Sequence, residues 1–189
     1  MINPMKYSNI KTFDIANGIG VRTSLFVSGC RNKCPECFNP ETWSFDSGKT
    51  FDQDTINYIH KTIEPYFIDG LSILGGEPLE PENQSAVLTL VKQTKDKFPN
   101  KPIWMWTGFT WFDITENTSC RACTALTKLI LKEIDILVDS PFKQNEKDLL
   151  LRFRGSSNQR IIDVQQTLKE GHVVLWKDDK IFETHEWKD

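Results

Sequence analysis

Three of the five cysteines in this 189-residue chain fall within eight residues, directly after an apolar segment that has the composition of a buried strand. They are Cys30, Cys34 and Cys37, in the spacing C-x3-C-x2-C. Three thiolates can hold three corners of a cubane iron-sulfur cluster and leave the fourth iron open. An iron with a vacant position can bind and reduce a small molecule, whereas an iron with four protein ligands only passes electrons. The run therefore predicts an enzyme with its metal ligands at the end of a strand.

Zinc is the main alternative for these thiols. The pairs Cys34-x2-Cys37 and Cys120-x2-Cys123 together contain the four thiolates of a structural zinc site. About 80 residues separate the two pairs, against the roughly 15 to 20 that are usual in compact zinc motifs. Such a site would also leave Cys30 without a role. The chain would then be a non-catalytic zinc-binding interaction module, and this alternative stays open on the residues alone.

Length and charge restrict the other classes of protein. At 189 residues the chain fits a single domain over 1–189 and is too short for a complete eight-unit barrel of roughly 250 residues. The 23 Lys and Arg against 26 Asp and Glu give a net charge of -3, which offers no whole-chain attraction for nucleic acid or an anionic membrane. The amino terminus lacks a signal-peptide pattern and no apolar run approaches the roughly 20 residues of a membrane span, so we expect a cytoplasmic protein.

Apolar runs rich in β-branched and aromatic residues predict five buried strands. They are 23–27, 71–74, 103–107, 134–138 and 173–176. Apolar residues recur at helical spacing after Asp52, before Phe98, from Ala122 to the fourth strand, and between Asp163 and Lys169. Strands that alternate with helices predict right-handed βαβ units and a parallel sheet covered by helices, which is an α/β fold.

In such a sheet the chemistry lies at the carboxyl ends of the strands. The cysteine run, the segment 75–78, the pair 107–108 and the pair 139–140 each follow a predicted strand, so we expect all four on one edge. By composition alone, Gly75-Gly76-Glu77-Pro78 is a β-turn. Its two glycines would also allow the backbone to approach a ligand closely.

These motifs together resemble one protein family. The cysteine spacing followed by Phe38 resembles the radical S-adenosylmethionine (SAM) superfamily, and the other segments resemble the anaerobic ribonucleoside-triphosphate reductase activating proteins. Those segments, in the order of the family, are 14–22, 38–43, 74–79, 106–108 and 154–160. The resemblance covers the chain from about Phe13 to Gln165.

The resemblance implies a fold, two cofactors and a reaction. The fold is a partial, open (β/α) barrel of the radical SAM type with a mostly parallel sheet. Cys30, Cys34 and Cys37 would bind a 4Fe-4S cluster with SAM on its open iron, and an electron from a donor such as flavodoxin or ferredoxin would cleave SAM to a 5′-deoxyadenosyl radical. That radical would remove hydrogen from a glycine of the large catalytic subunit of the anaerobic (class III) ribonucleotide reductase and so form its glycyl radical. No side chain is expected to act as a catalytic acid or base.

The resemblance also implies residues that contact SAM. They are Glu36, Cys37, Phe38, Gly75, Gly76, Glu77 and Pro78. Glu77 would either accept the methionine ammonium group or order its loop, and the segment 36–38 would line the adenine. By residue type alone, Phe38 is equally well a core side chain.

Two further segments of the family are expected to lie beside the site. Gly18-x-Gly20-x-Arg22 precedes the first predicted strand and is expected near the cluster edge, although Arg22 could equally be a solvated or salt-bridged arginine. The loop 154–159 would dock the reductase or close over the cofactor. A different activase, such as that of pyruvate formate-lyase, shares the cysteines and the glycine loop but is longer and lacks the Arg-Gly-Ser-Ser-Asn-Gln segment.

Overall fold

The computed structural model describes residues 5–178, which form one seven-stranded sheet with five α-helices. The strands are β1 (Lys6–Asp14), β2 (Arg22–Val27), β3 (Lys49–Thr50), β4 (Gly70–Gly75), β5 (Ile103–Trp106), β6 (Ile136–Asp139) and β7 (Arg160–Asp163). The helices are α1 (Gln53–Ile63), α2 (Pro81–Lys97), α3 (Trp111–Thr115), α4 (Ala125–Glu133) and α5 (Val164–Glu170). Short 3-10 helices occupy Pro40–Trp43 and Gln144–Glu146.

The strand order is β3-β1-β2-β4-β5-β6-β7. The neighbours β2, β4, β5 and β6 are parallel, while β1 pairs antiparallel with β2 and β3, and β7 pairs antiparallel with β6. Each parallel pair is joined through at least one helix, as parallel neighbours require. The α/β prediction is confirmed, with a sheet that is parallel at its centre and open at both sides. The antiparallel outer strands were not predicted.

Local signals explain where several helices begin and end. The Asp52 side chain accepts a hydrogen bond of 2.9 Å from the backbone N–H of Thr55, which confirms it as the N-cap of α1. Asp163 caps α5 in the same way, and Gly171 ends that helix with φ of 74°. The predicted start of the third helical segment at Ala122 is wrong, because α4 begins after its cap Thr124 and Ala122 is a buried turn residue.

Two strand predictions need correction. The predicted strand 173–176 is not one of the seven strands of the sheet. The segment lies antiparallel beside β7, with a bridge from Leu175 to Ile162 and backbone hydrogen bonds from Asp163 to Val174 and from Trp176 to Ile161. The strand β1 was not predicted because it has no continuous apolar run: its only buried residue is Asp14, and Asn9, Lys11 and Phe13 are exposed.

The two faces of the sheet differ. On the face that packs against the helices, four apolar side chains lie in register across the parallel strands: Leu25, Ile73, Met105 and Leu137. On the opposite face, the adjacent positions carry Ser24, Ser72, Trp104 and Ile136. Because successive side chains of a strand point to opposite faces, these two serines, Trp104 and Ile136 share one surface. Among the described residues 5–178, no helix combines the length and the apolar character that a bilayer span needs.

Candidate metal and cofactor site

The four segments predicted to share one edge do meet at the carboxyl ends of the parallel strands. After β4, the backbone N–H of Gly76 donates to the carbonyl of Val27 at 2.7 Å, and the N–H of Glu77 donates to the carbonyl of Gly29 at 2.9 Å. The N–H of Thr107 donates to Val138 at 2.9 Å, which joins the ends of β5 and β6. The predicted arrangement of strand ends is therefore confirmed.

The cysteine loop is anchored at its start. The N–H of Gly29 donates to Thr42 at 2.8 Å, and that of Cys30 donates to Trp43 at 3.1 Å, so the loop is fixed against the 3-10 helix. Cys30 is buried, while Cys34 and Cys37 are half-buried in a turn closed by a 3.2 Å backbone hydrogen bond. All three are free thiols. They are thus available as ligands on one short loop.

Gly75 and Gly76 are both required by the packing of this edge. Gly75 has φ of 106°, a conformation that other residues rarely adopt. A Cβ at Gly76 would lie 2.8 Å from the carbonyl oxygen of Gly29 and 3.0 Å from that of Val27. The close backbone approach that the sequence suggested is therefore made to the chain before the cysteines. Pro78, which follows, is buried.

The Glu77 carboxylate is only 1% exposed and ties three loops together. Its Oε1 accepts from the Leu79 N–H at 2.9 Å and from the Thr107 hydroxyl at 2.8 Å. Its Oε2 accepts from the Gly108 N–H at 2.8 Å and from the Asn32 side-chain amide at 3.2 Å. Burial raises the pKa of Glu77 to about 7, because these hydrogen bonds only partly offset the loss of solvation. Of the two predicted roles, this geometry supports ordering of the loop.

The three thiols are soft sulfur donors, the kind of ligand that iron-sulfur clusters bind. Burial raises the pKa of Cys30 to about 11, and burial together with the nearby Cys37 sulfur raises the pKa of Cys34. A metal centre supplies the positive charge that holds such thiols as thiolates. In residues 5–178, no group of three or more Cys, His, Asp or Glu side chains converges on a metal-binding geometry. The three thiols share a loop without converging, and the four cysteines of the zinc alternative do not form a site either.

Glu36 and Phe38 lie at the surface of the cysteine loop. Phe38 is 75% exposed, so it is not a core side chain. The Lys147 ammonium, from the loop after β6, lies 5.6 Å from the centre of the Phe38 ring and 3.8 Å from a carboxylate oxygen of Glu36. Both residues are open to a ligand, and their predicted contact with adenine stays a prediction.

The glycine loop lies at the opposite edge from the one predicted. Because Arg22 begins β2 and pairs with Gly70 at the start of β4, residues 18–22 lie at the amino ends of the parallel strands. The Arg22 side chain is fully buried and donates to the Ser72 hydroxyl at 2.8 Å and to the Pro102 carbonyl at 2.7 Å. Burial lowers its pKa to about 10. Arg22 is therefore neither solvated nor salt-bridged but hydrogen-bonded to neutral oxygens between strands.

The segment 154–160 closes the loop between β6 and β7. The Gln159 Oε1 accepts from the Gly155 N–H at 2.8 Å, and the Asn158 amide donates to the Pro141 carbonyl at 2.8 Å. Arg160 lies in β7 and its Nε donates to the buried Asp139 carboxylate at 3.0 Å. These contacts order the segment against itself and against Asp139 and Pro141 at the end of β6, and its predicted docking role stays a prediction.

Sequence reasoning missed three polar residues at the cluster edge: Asn32, Glu80 and Arg121. Arg121 donates to Asn32 at 2.7 Å across a separation of 89 positions. Glu80 is fully buried at the start of α2. No local pattern marks a charged residue whose partners lie so far along the chain.

Comparison with known proteins places this site in a class. Residues 16–162 match the family described as 4Fe-4S single cluster domain, so the cysteine loop belongs to an iron-sulfur protein. A Vibrio cholerae protein named anaerobic ribonucleoside-triphosphate reductase-activating protein is 40% identical over 159 residues, covering 83% of this chain and 97% of the relative. Proteins of the same name from Enterobacteria phage T4 and Escherichia coli strain K12 are 36% and 38% identical and cover 83% and 82% of the chain, with 93% and 96% of their own length matched. The chain belongs to the family of anaerobic ribonucleoside-triphosphate reductase-activating proteins, which confirms the resemblance.

Proposed function

We propose that this chain is an iron-sulfur and SAM-dependent activase that forms the glycyl radical of the anaerobic (class III) ribonucleotide reductase. The observation that carries the proposal is a loop of three free thiols at the carboxyl ends of parallel strands, in a chain whose relatives bear the name of a reductase-activating protein. A metal site of three protein ligands leaves a position for a small molecule, which a closed structural site does not.

The residues of this chain would bind and orient the cofactors. Cys30, Cys34 and Cys37 would hold the 4Fe-4S cluster, which when bound supplies the electron that cleaves SAM to methionine and the 5′-deoxyadenosyl radical. Glu77 holds the loop after β4 against the cysteine loop through Asn32. The exposed ring of Phe38 offers a stacking surface to the adenine.

The face of the sheet that carries Ser24, Ser72, Trp104 and Ile136 would form the inner wall of a partial barrel of the radical SAM type. The sheet is open, so a loop of a second polypeptide can reach the carboxyl edge from the side. The target of the radical would be a backbone glycine of the large reductase subunit, and flavodoxin or ferredoxin would be the electron donor. Exclusion of water around the reacting atoms would then depend on the partner as well as on this chain.

The test is anaerobic reconstitution with iron and sulfide, followed by reduction in the presence of SAM. We expect a 4Fe-4S signal in electron paramagnetic resonance, 5′-deoxyadenosine as a product, and a glycyl radical when the large reductase subunit is added. Absence of 5′-deoxyadenosine from the fully reduced, cluster-loaded protein would contradict the proposal. A radical on pyruvate formate-lyase, with none on the reductase, would favour the other activase, and stoichiometric zinc without sulfide would favour the interaction module.

A further inference from the structure

A buried carboxylate lies beneath the residues that separate Cys30 from Cys34. Glu80 has 0% exposure and accepts at both of its oxygens. Its Oε1 accepts from the backbone N–H of Arg31 at 2.8 Å, and its Oε2 accepts from the Arg31 guanidinium at 2.7 Å. Glu80 therefore binds the cysteine loop through main chain and side chain at once.

The second cation on Glu80 comes from a distant segment. Arg121 lies in the turn between Cys120 and Cys123, and its Nε and Nη2 each lie 3.0 Å from a Glu80 oxygen. This is the two-pronged geometry that a guanidinium makes with a carboxylate and that a lysine cannot reproduce. The Arg121 guanidinium also lies 4.6 Å from the centre of the Phe109 ring, which limits its freedom.

Arg121 reaches the cysteine loop directly as well. Its Nη2 donates to the Asn32 side-chain oxygen at 2.7 Å, and the Asn32 amide then donates to the buried Glu77 carboxylate at 3.2 Å. A continuous set of charged and polar contacts thus runs from the turn before α4 to the loop after β4. Both residues that it holds, Arg31 and Asn32, lie between two of the cysteines.

Burial of the Glu80 carboxylate favours one fixed arrangement of its hydrogen-bond partners. A fully buried carboxylate loses its hydration and is stable only when its oxygens are satisfied by donors and opposite charge. The two arginines are part-exposed, so they lose less hydration than Glu80 does. If Arg121 were removed, Glu80 would keep only the donors of Arg31, and the Asn32 side-chain oxygen would lose the donor Arg121.

We propose that Arg121 is a positioning residue for the cysteine loop, which it holds through Glu80 and Asn32 so that the backbone from Cys30 to Cys34 keeps one conformation. The proposal rests on the proposed function only for the identity of the bound group, a 4Fe-4S cluster. Contacts of this kind beyond the ligands orient the ligands themselves, and their loss typically lowers metal affinity about 10- to 100-fold.

The test compares Arg121→Ala, Arg121→Lys and Lys128→Ala in the full chain. Lys128 is an exposed residue of α4, so its replacement removes the same charge nearby without contact to Glu80. Hydrogen exchange of residues 31–34 is measured before reconstitution. After reconstitution with iron and sulfide, the rate of iron loss to a chelator and the paramagnetic resonance spectrum of the reduced cluster are measured.

We expect Arg121→Ala to speed exchange at residues 31–34 and to speed iron loss by about tenfold, with a broadened cluster spectrum. Arg121→Lys should show smaller increases in exchange and in iron loss than Arg121→Ala, because it keeps the charge but not the two-pronged geometry. Lys128→Ala should match the parent protein. Unchanged exchange and unchanged iron loss in Arg121→Ala would overturn the proposal, and so would equal effects in Lys128→Ala.

Glu80→Gln is a second variant, which tests the proposal if Arg121→Ala does not fold, because it removes the buried charge on Glu80. Glu80→Gln keeps the side-chain volume and should also speed exchange at residues 31–34, whereas exchange equal to the parent would count against the role of Glu80. The exchange measurement needs no cluster. If the parent protein failed to cleave SAM while exchange still responded to Arg121, the proposed function would fail and the positioning role would stand.

Discussion

The two edges of the parallel strands hold their buried charges in different ways. At the amino edge, Arg22 and Asp14 are both buried. Arg22 donates to neutral oxygens of Ser72, Leu71, Pro102 and Ile19, and Asp14 accepts from Asn17 and Ser24. At the carboxyl edge, the buried carboxylates of Glu77 and Glu80 accept from donors on loops distant in the sequence. The amino edge is thus stabilised mainly by contacts with adjacent strands and with the segments that lead into them. The carboxyl edge is held by loops that come from four places in the sequence.

The contacts at the amino edge therefore contribute mainly to stability, and those at the carboxyl edge to the shape of the cysteine loop. Arg22 joins β2 to β4 and to the chain before β5, so its contacts contribute to the sheet itself. Glu77 and Glu80 contact Asn32 and Arg31, between the cysteines, so their contacts determine the shape of a loop. Changes at the amino edge should alter unfolding, and changes at the carboxyl edge should alter cofactor binding.

The largest effect is expected from Cys30→Ser. Serine is a poor ligand for iron-sulfur clusters compared with a thiolate, so we expect loss of the cluster and of SAM cleavage. Iron and acid-labile sulfide are measured after anaerobic reconstitution. The control is Cys123→Ser, which should keep the parent iron content. Loss of metal in Cys123→Ser, with metal retained in Cys30→Ser, would instead support the four-cysteine zinc site.

At the amino edge, Arg22→Met should lower the free energy of unfolding by about 3 kcal/mol, because several buried oxygens lose their donor. Urea denaturation of the cluster-free protein measures the change. Arg22→Lys keeps the charge and some donors and should lose less. A Met variant as stable as the parent would show that Arg22 does not hold the edge together.

The pH dependence of stability tests the amino edge a second way. Burial acts to raise the pKa of Asp14, but hydrogen bonds from Ser24, Asn17, Ala16 and Lys11 outweigh it and lower the pKa to about 2. The unfolded chain therefore binds a proton at higher pH than the folded protein does. The resulting stability, about 2 kcal/mol, is present above pH of about 4 and is lost as the pH falls toward 2.

Asp14→Asn removes this contribution while keeping the size of the side chain. The measurement is urea denaturation of parent and variant at several values of pH. We expect the difference in their free energies of unfolding to shrink as the pH falls from about 4 to about 2. A difference that stays constant over this range would contradict the lowered pKa of Asp14.

The smallest effect on stability is expected from Phe38→Ala at the carboxyl edge. Because the ring is mostly exposed, the free energy of unfolding should stay within about 0.5 kcal/mol of the parent. Loss of stacking on adenine should weaken SAM binding by about 1 kcal/mol, roughly fivefold. Calorimetric titration of the cluster-loaded protein measures this. Tyr58→Ala, at an exposed aromatic of α1, is the control, and unchanged SAM affinity in Phe38→Ala would remove Phe38 from the site.

Local patterns predicted much of the fold. The caps at Asp52 and Asp163 and the stop at Gly171 depend on neighbouring residues, so the sequence shows them directly. The four parallel strands were visible because both of their faces are largely covered, which makes them continuous apolar runs. The strands β1 and β7 lie at the sides of the sheet, and half-covered strands carry a weaker signal.

The sequence by itself determined the cysteine loop, the order of the four parallel strands, and the family, because ligand spacing and apolar periodicity are local properties. The predicted strand 23–27 already places Arg22, which precedes it, at the opposite end from the cysteines, and only the tertiary structure shows its partners, Ser72 and Pro102. The same holds for Arg121 beside Asn32. A buried charge takes its partners from whatever segments the fold brings near it, and no local pattern encodes that proximity.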